Sequence, residues 1–216
     1  MHFCYWPPII EEPEILALIL LGTKKMLKLC ASILASLAVL TISGCTTPPT
    51  VDQSNIDELA LEIRKLGPEV DPREAERAAR IAYEYSSQLA IEYEVTDPPL
   101  VHNYKVNNGF RERGICVHWA EDVEKRLKQE NFRTLAMHRA IALPKTSFNV
   151  EHSTAVISRR GDAFDDGIVL DPWRYGGVLY WSPTLADSRY NWQPQIEALE
   201  EMYRTRQATR EAAINL

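Results

Sequence analysis

Apolar positions in the middle of the chain first recur at helical spacing and then give way to strand-like runs. Over residues 53–66, QSNIDELALEIRKL, Ile56, Leu59, Ile63 and Leu66 share one helical stripe that Gly67-Pro68 terminates. Asp71-Pro72 predicts an N-cap followed by proline at the first helical position. That second helix extends to about residue 92, with Ala75, Ala78, Ala79, Ala82, Leu89 and Ile91 available for packing. Asp97-Pro98-Pro99 predicts a break, followed by a loop carrying Asn107-Asn108-Gly109. A third, amphipathic helix is expected over residues 115–129. Beyond it, residues 135–143, 150–158, 168–170 and 178–181 are strand-like, separated by Pro144, Gly161, Gly167 and Gly176-Gly177. Residues 195–210 return to a helical pattern. Helices first and strands afterwards imply an α+β domain, its N-terminal helices packed on an antiparallel sheet.

Upstream the pattern is of another kind. Lys24, Lys25 and Lys28 precede a mostly apolar run over residues 29–42, and Ser43-Gly44-Cys45 follows. About fourteen apolar residues at about 1.5 Å rise each fall short of the ~30 Å hydrocarbon core. A signal-peptide core fits that length better than a transmembrane helix. Thr41-Ile42-Ser43-Gly44-Cys45 resembles the lipobox of bacterial lipoproteins, which implies lipidation of Cys45, cleavage before it, and a membrane partner through the acyl chains. Thr46 in place of an Asp favours the periplasmic face of the outer membrane in that resemblance. Thr46-Thr47-Pro48-Pro49-Thr50 is a polar, proline-rich tether. The expected organisation is an upstream extension over 1–25, a signal peptide over 26–45 with Met26 as the true start, a tether over 46–55, and one domain over 56–216.

Charge and cysteine usage narrow the function. The chain has 216 residues and a net charge of −6, with no block of Lys and Arg. Nucleic acid is therefore not an expected partner. Of Cys4, Cys30, Cys45 and Cys116, only Cys116 falls in the expected domain, so an internal disulfide framework is excluded there. No motif calls for a cofactor. A metal site on Cys116 lacks the second Cys or CxxC pair that would support it.

Cys116 sits in Gly114-Ile115-Cys116-Val117-His118-Trp119-Ala120 at an expected helix start, where unpaired amides and the helix dipole favour an anion such as a thiolate. By itself it reads equally as a nucleophile or a small buried hydrophobe. His118 is about 200° around the helix from Cys116 and is expected to face away, as a supporting or surface residue. Trp119 shares a side with Cys116 and is a candidate to wall a substrate cleft; a core role fits it as well. His152 interrupts the strand Val150-Glu151-His152-Ser153-Thr154-Ala155-Val156-Ile157, and Asp171 ends the strand Gly167-Ile168-Val169-Leu170-Asp171. With a hairpin apex at Gly161-Asp162, residues whose numbers sum to 323 face each other, and His152 and Asp171 are such a pair; the longer loop SRRGDAFDDG allows a shift of a residue or two, and a one-residue slip would flip faces. Cβ atoms about 4.5–5.5 Å apart would allow an imidazole–carboxylate bond. A thiol needs a base, and the base needs a carboxylate to fix its tautomer. Asp162, Asp165 and Asp166 fall in a polar turn and are expected to be solvated. Trp173, Tyr180 and Trp181 are cleft or core aromatics, and Arg174 is a surface charge or an anchor for a substrate carboxylate.

Cys at a helix start, His on a strand and Asp on the next strand, with Gly-x-Cys-x-x-Trp-Ala over Gly114–Ala120, is similar to the transglutaminase-like superfamily. The His-Ser-Thr-Ala-Val-Ile and Leu-Asp-Pro-Trp stretches resemble its other two blocks. This resemblance implies a papain-like core, a triad of Cys116, His152 and Asp171, and thioester chemistry on a peptide or protein substrate. By analogy, the amide of Cys116 would be one oxyanion donor, with a side-chain donor from residues 104–108. The competing reading is a non-catalytic envelope module that binds peptide or protein through the same fold.

Overall fold

A computed structural model describes residues 51–144 and 151–214. The expected upstream extension, the expected signal peptide with Met26 and Cys45, the first half of the expected tether, and Val150 of the expected second strand lie outside the described residues. Helix α1, Gln53–Arg64, begins where the Asp52 carboxylate accepts the Ser54 amide at 3.1 Å. The last residues of the expected tether thus already belong to the first helix. Helix α2, Pro72–Glu92, begins on Asp71, which accepts the Arg73 amide at 2.8 Å ahead of Pro72, as the sequence predicts. The alanine stripe is buried, and Leu89 with it. Ile91 is not: two residues past Leu89 it turns to the opposite side and stays exposed.

Residues expected to form a loop instead form helix α3, Pro99–Asn107. Pro99 occupies the first turn, where a missing N–H costs nothing, so the proline pair starts this helix; α2 has already ended at Glu92, ahead of Glu94 at φ +52°. Helix α4 is Cys116–Lys128 and helix α5 is Gln195–Ile214.

Five strands form one antiparallel sheet: β1 Leu135–Ala142, β2 His152–Arg159, β3 Ile168–Tyr175, β4 Val178–Pro183 and β5 Trp192–Pro194, in the order β4-β3-β2-β1-β5. These elements belong to a unit spanning residues 46–216. The α+β architecture with helices on an antiparallel sheet is as the pattern implies. Strand β3 runs past Asp171-Pro172 to Tyr175, and β5, only three residues long, escapes the sequence pattern. Strand β2 is central and buried from His152 to Ser158, because apolar clusters cover both sides of the sheet. The larger holds α1, α2, α4 and the inward residues Ala155, Ile157, Ile168 and Leu170; the smaller holds Ala140, Val156, Val169 and Trp192.

The β2–β3 register differs from the expected one. Ala155 pairs with Leu170, Val156 with Val169 and Ile157 with Ile168, two residues away from the predicted alignment. A 3-10 turn at Phe164–Asp166 takes up chain on the β3 side, and Asp162 is drawn back to Arg159, whose guanidinium donates to it at 2.6 and 3.0 Å. Asp162 is therefore ion-paired, not merely solvated. A shift of two keeps each side chain on its face, so His152 and Asp171 stay on the same side.

Glu74 locks the helical layer to the sheet. Its buried carboxylate accepts the amides of Arg133 and Thr134, each at 2.8 Å, and the Thr134 hydroxyl at 2.6 Å. Burial pushes this carboxyl up, but the donors outweigh it and hold the group below its ordinary value of 4.5. Glu74→Ala strands these donors and is expected to cost about 2–4 kcal/mol in urea unfolding at pH 7. The wild-type contribution is present above the ordinary carboxylate pKa and is lost as pH falls, so the gap between the two proteins should close in acid.

Candidate active site

Cys116 is the first residue of α4, follows the extended N-cap Ile115, and is a partly exposed free thiol. The turn before it is held on three sides. Gly114 adopts φ +116°, and a Cβ there would lie 2.3 Å from Nε2 of the buried His102, so both conformation and space require glycine. His102 Nε2 donates to the Arg113 carbonyl at 3.0 Å, which seats α3 against this turn. His118 Nδ1 accepts the Gly114 amide at 3.1 Å, and burial together with the Arg113 charge lowers its pKa. His118 thus brackets the turn from within α4 and is the supporting residue that helical geometry predicts.

Trp119 does not line a cleft. It is 1% exposed in the main core, donates Nε1 to the Gly114 carbonyl at 2.8 Å, and meets the Tyr93 ring edge-on at 4.8 Å. Its position three residues after Cys116 turns it inward, where its indole N–H finds a partner in the turn.

His152 opens β2 where the two apolar clusters meet. Its ring is 4.6 Å from Trp173 of the first cluster, and 4.6 and 5.4 Å from Tyr190 and Trp192 at the second. Nε2 donates to Asp171 Oδ2 at 2.6 Å, and both side chains are 1% exposed. A carboxylate only accepts, so this bond leaves Nδ1 as the nitrogen that gains or loses the proton. Nδ1 has no hydrogen bond of ordinary geometry among the described residues, yet the ring interacts electrostatically with Cys116. Burial pulls the imidazole pKa down; the Asp171 charge and hydrogen bond, followed by Cys116, overcome it and raise it to about 9. The Cys116 Sγ also lies 3.8 Å from the Glu151 carbonyl, one residue before His152. The three residues separated by 55 positions are thus brought to one place.

Trp173 packs over the imidazole and donates Nε1 to Asn103 Oδ1 at 3.0 Å, a wall of the site with little surface of its own. Asn103, on α3, was hidden inside the expected loop and lies just before the 104–108 stretch expected to supply an oxyanion donor. Trp181 and Tyr180 are occupied elsewhere: Trp181 donates to the Tyr83 hydroxyl at 2.9 Å, and Tyr180 lies under Arg174.

Arg174 is neither a surface charge nor a substrate anchor. Its side chain is 2% exposed, and Nε donates to Asp171 Oδ2 at 3.0 Å. Its remaining donors reach the buried Asp187, at 2.6 and 3.2 Å. Asp187, Tyr190 and Trp192 belong to a stretch, LADSRYNW, with no periodicity that marks them as site residues.

The chain matches no protein-family model, no characterised protein and no solved structure. The site's chemistry therefore rests on its own geometry. A thiol at a helix start beside an imidazole fixed by a buried carboxylate can exchange a proton with that imidazole and act as a nucleophile.

Proposed function

We propose that this chain is a cysteine-dependent acyl-transfer enzyme with a papain-like, transglutaminase-like core, held at the cell envelope by lipid on Cys45. Cys116 is the nucleophile, His152 the base and acid, Asp171 the residue that orients the imidazole. The 2.6 Å buried bond between His152 Nε2 and Asp171 carries the reading, because it commits the other ring nitrogen to proton exchange beside Cys116.

The Cys116 proton passes to His152 Nδ1, giving a thiolate and an imidazolium. Sulfur attacks an amide carbonyl, and the oxyanion that forms is met by the Cys116 amide at the head of α4. As the C–N bond breaks, the imidazolium gives its proton to the departing amine, leaving a thioester. Water then loses a proton to His152, attacks the thioester, and releases the acid and the thiol. Acceptors other than water would make the reaction a transfer; hydrolysis is the default. The peptide or protein nature of the substrate follows from the resemblance of the three sequence blocks.

Iodoacetamide tests the central pair on the full chain. An ordinary thiol, with pKa about 8.5, is ionised to roughly one part in 300 at pH 6. Wild-type Cys116 should be alkylated at pH 6 about as fast as at pH 8, and His152→Ala should slow the pH 6 reaction by about 10²-fold. A wild-type thiol that reacts only in step with free-thiol ionisation ends the proposal.

A further inference from the structure

Behind Asp171 lies a second layer of buried charge that the proposed chemistry does not use. Arg174 contacts both oxygens of the Asp171 carboxylate, its amide on Oδ1 at 3.2 Å and its Nε on Oδ2 at 3.0 Å. Its fork closes on Asp187, which also accepts the Trp192 indole N–H at 3.0 Å and the Arg189 amide at 3.2 Å. The guanidinium is stacked 3.7 Å from the Tyr180 ring centroid and 4.9 Å from that of Tyr190, the ring that also flanks His152. Asp187, Arg174, Asp171 and His152 thus form a buried row whose charges alternate when the imidazole is protonated.

Such a row is costly if it serves only stability, since apolar residues of similar volume commonly replace buried ion pairs without loss. It has a definite effect on the site. An arginine on the triad carboxylate fixes that carboxylate, but its positive charge works against a second cation on the same oxygen. Asp187 cancels that charge.

We propose that Arg174, clamped by Asp187, is a positioning residue that aims Asp171 at His152 and that the Arg174–Asp187 pair sets how firmly His152 holds its proton. The proposal rests on the triad reading for its purpose, but its electrostatics stand on the geometry alone. Among the described residues, the groups around the imidazole and its carboxylate include Cys116 from α4, Asp171, Trp173 and Arg174 from β3, and Asp187, Tyr190 and Trp192 from the segment entering β5. Arg189 lies outside them, its guanidinium 5.6 Å from the Tyr190 ring centroid. Tyr190 stays neutral, because burial raises its phenol and Arg189 only partly offsets that.

The test is a ¹⁵N NMR titration of His152 in the full chain, its signal assigned by loss in His152→Ala. Asp187→Asn leaves Arg174 uncompensated and should lower the His152 midpoint by about one pH unit. Arg174→Gln removes the cation, leaves two carboxylates, and should raise it by at least about half a unit. Arg174→Lys restores the charge and should bring the midpoint back toward wild type while loosening the fork. A purely structural role would lower thermal stability and move the midpoint not at all, or in the same direction in Asp187→Asn and Arg174→Gln; either result overturns the proposal. Should Arg174→Gln not fold, Asp187→Asn decides alone, and an unchanged or raised midpoint refutes. An inert wild-type thiol would sink the enzyme reading while opposite shifts in the two variants still upheld this one.

Discussion

Asp171→Asn is expected to lower turnover by about 10³–10⁴-fold in a chain that still folds. The reason lies in the hydrogen-bond directions around the carboxylate. Both Asp171 oxygens accept from donors: Oδ2 from His152 Nε2 and Arg174 Nε, Oδ1 from the Arg174 amide. An asparagine has one oxygen and one NH2 group, so one orientation opposes the Arg174 amide N–H with a second donor. The other turns NH2 toward His152 and Arg174, which forces the imidazole into the tautomer with its proton on Nδ1. That tautomer cannot take the thiol proton. Either orientation costs about 1–3 kcal/mol of stability for the unmatched donor.

The same substitution should alter the pH dependence of folding. In the wild type the His152 pKa is raised to about 9, so its charged form contributes stability that is fully present below the ordinary value of 6.5 and is lost as pH rises through about 9. Without the Asp171 charge, burial acts largely unopposed and pulls the imidazole down, so the variant should lose that window. Urea midpoints measured from pH 5 to pH 10 would read the difference directly. Parallel wild-type and variant curves would show that the carboxylate does not hold the imidazolium.

Cys116→Ala is expected to abolish activity, by about 10⁴-fold or more, with thermal stability nearly unchanged. The thiol is partly exposed, and its 3.8 Å contact with the Glu151 carbonyl is weak. Removing it creates no sealed cavity and strands no strong donor, so the fold loses little. Because Cys116 is among the groups that raise the His152 pKa, the variant should also show a lower imidazole midpoint. Envelope fractions incubated with the full chain, wild type against Cys116→Ala, provide the activity measurement. Identical processing by both proteins would exclude Cys116 as the nucleophile.

Much of the site was legible because each of its three members sits on a locally encoded element. Cys116 starts a helix whose amphipathic stripe runs to Leu127, and His152 and Asp171 lie on β-branched strands separated by a polar turn. The predicted register was off by two, yet the pair survived, because an even slip preserves the face of a strand. Trp119 and Arg174 were harder to place. An indole three residues from a helix-start cysteine and an arginine after a strand turn have the same local signature whether they face inward or outward.

Periodicity, caps and punctuation, acting over a few residues each, determined the α+β order of elements, the helix start at Cys116 and the candidate triad. Tertiary structure alone decided that α3 carries Asn103 to Trp173, that Trp119 belongs to the core, and that Asp187 closes on Arg174 behind Asp171. Those contacts join segments 5 to 70 residues apart that carry no shared pattern. Their partners are selected by which faces of the sheet are covered and by the need to match every buried charge and N–H, conditions that exist only once the chain has packed.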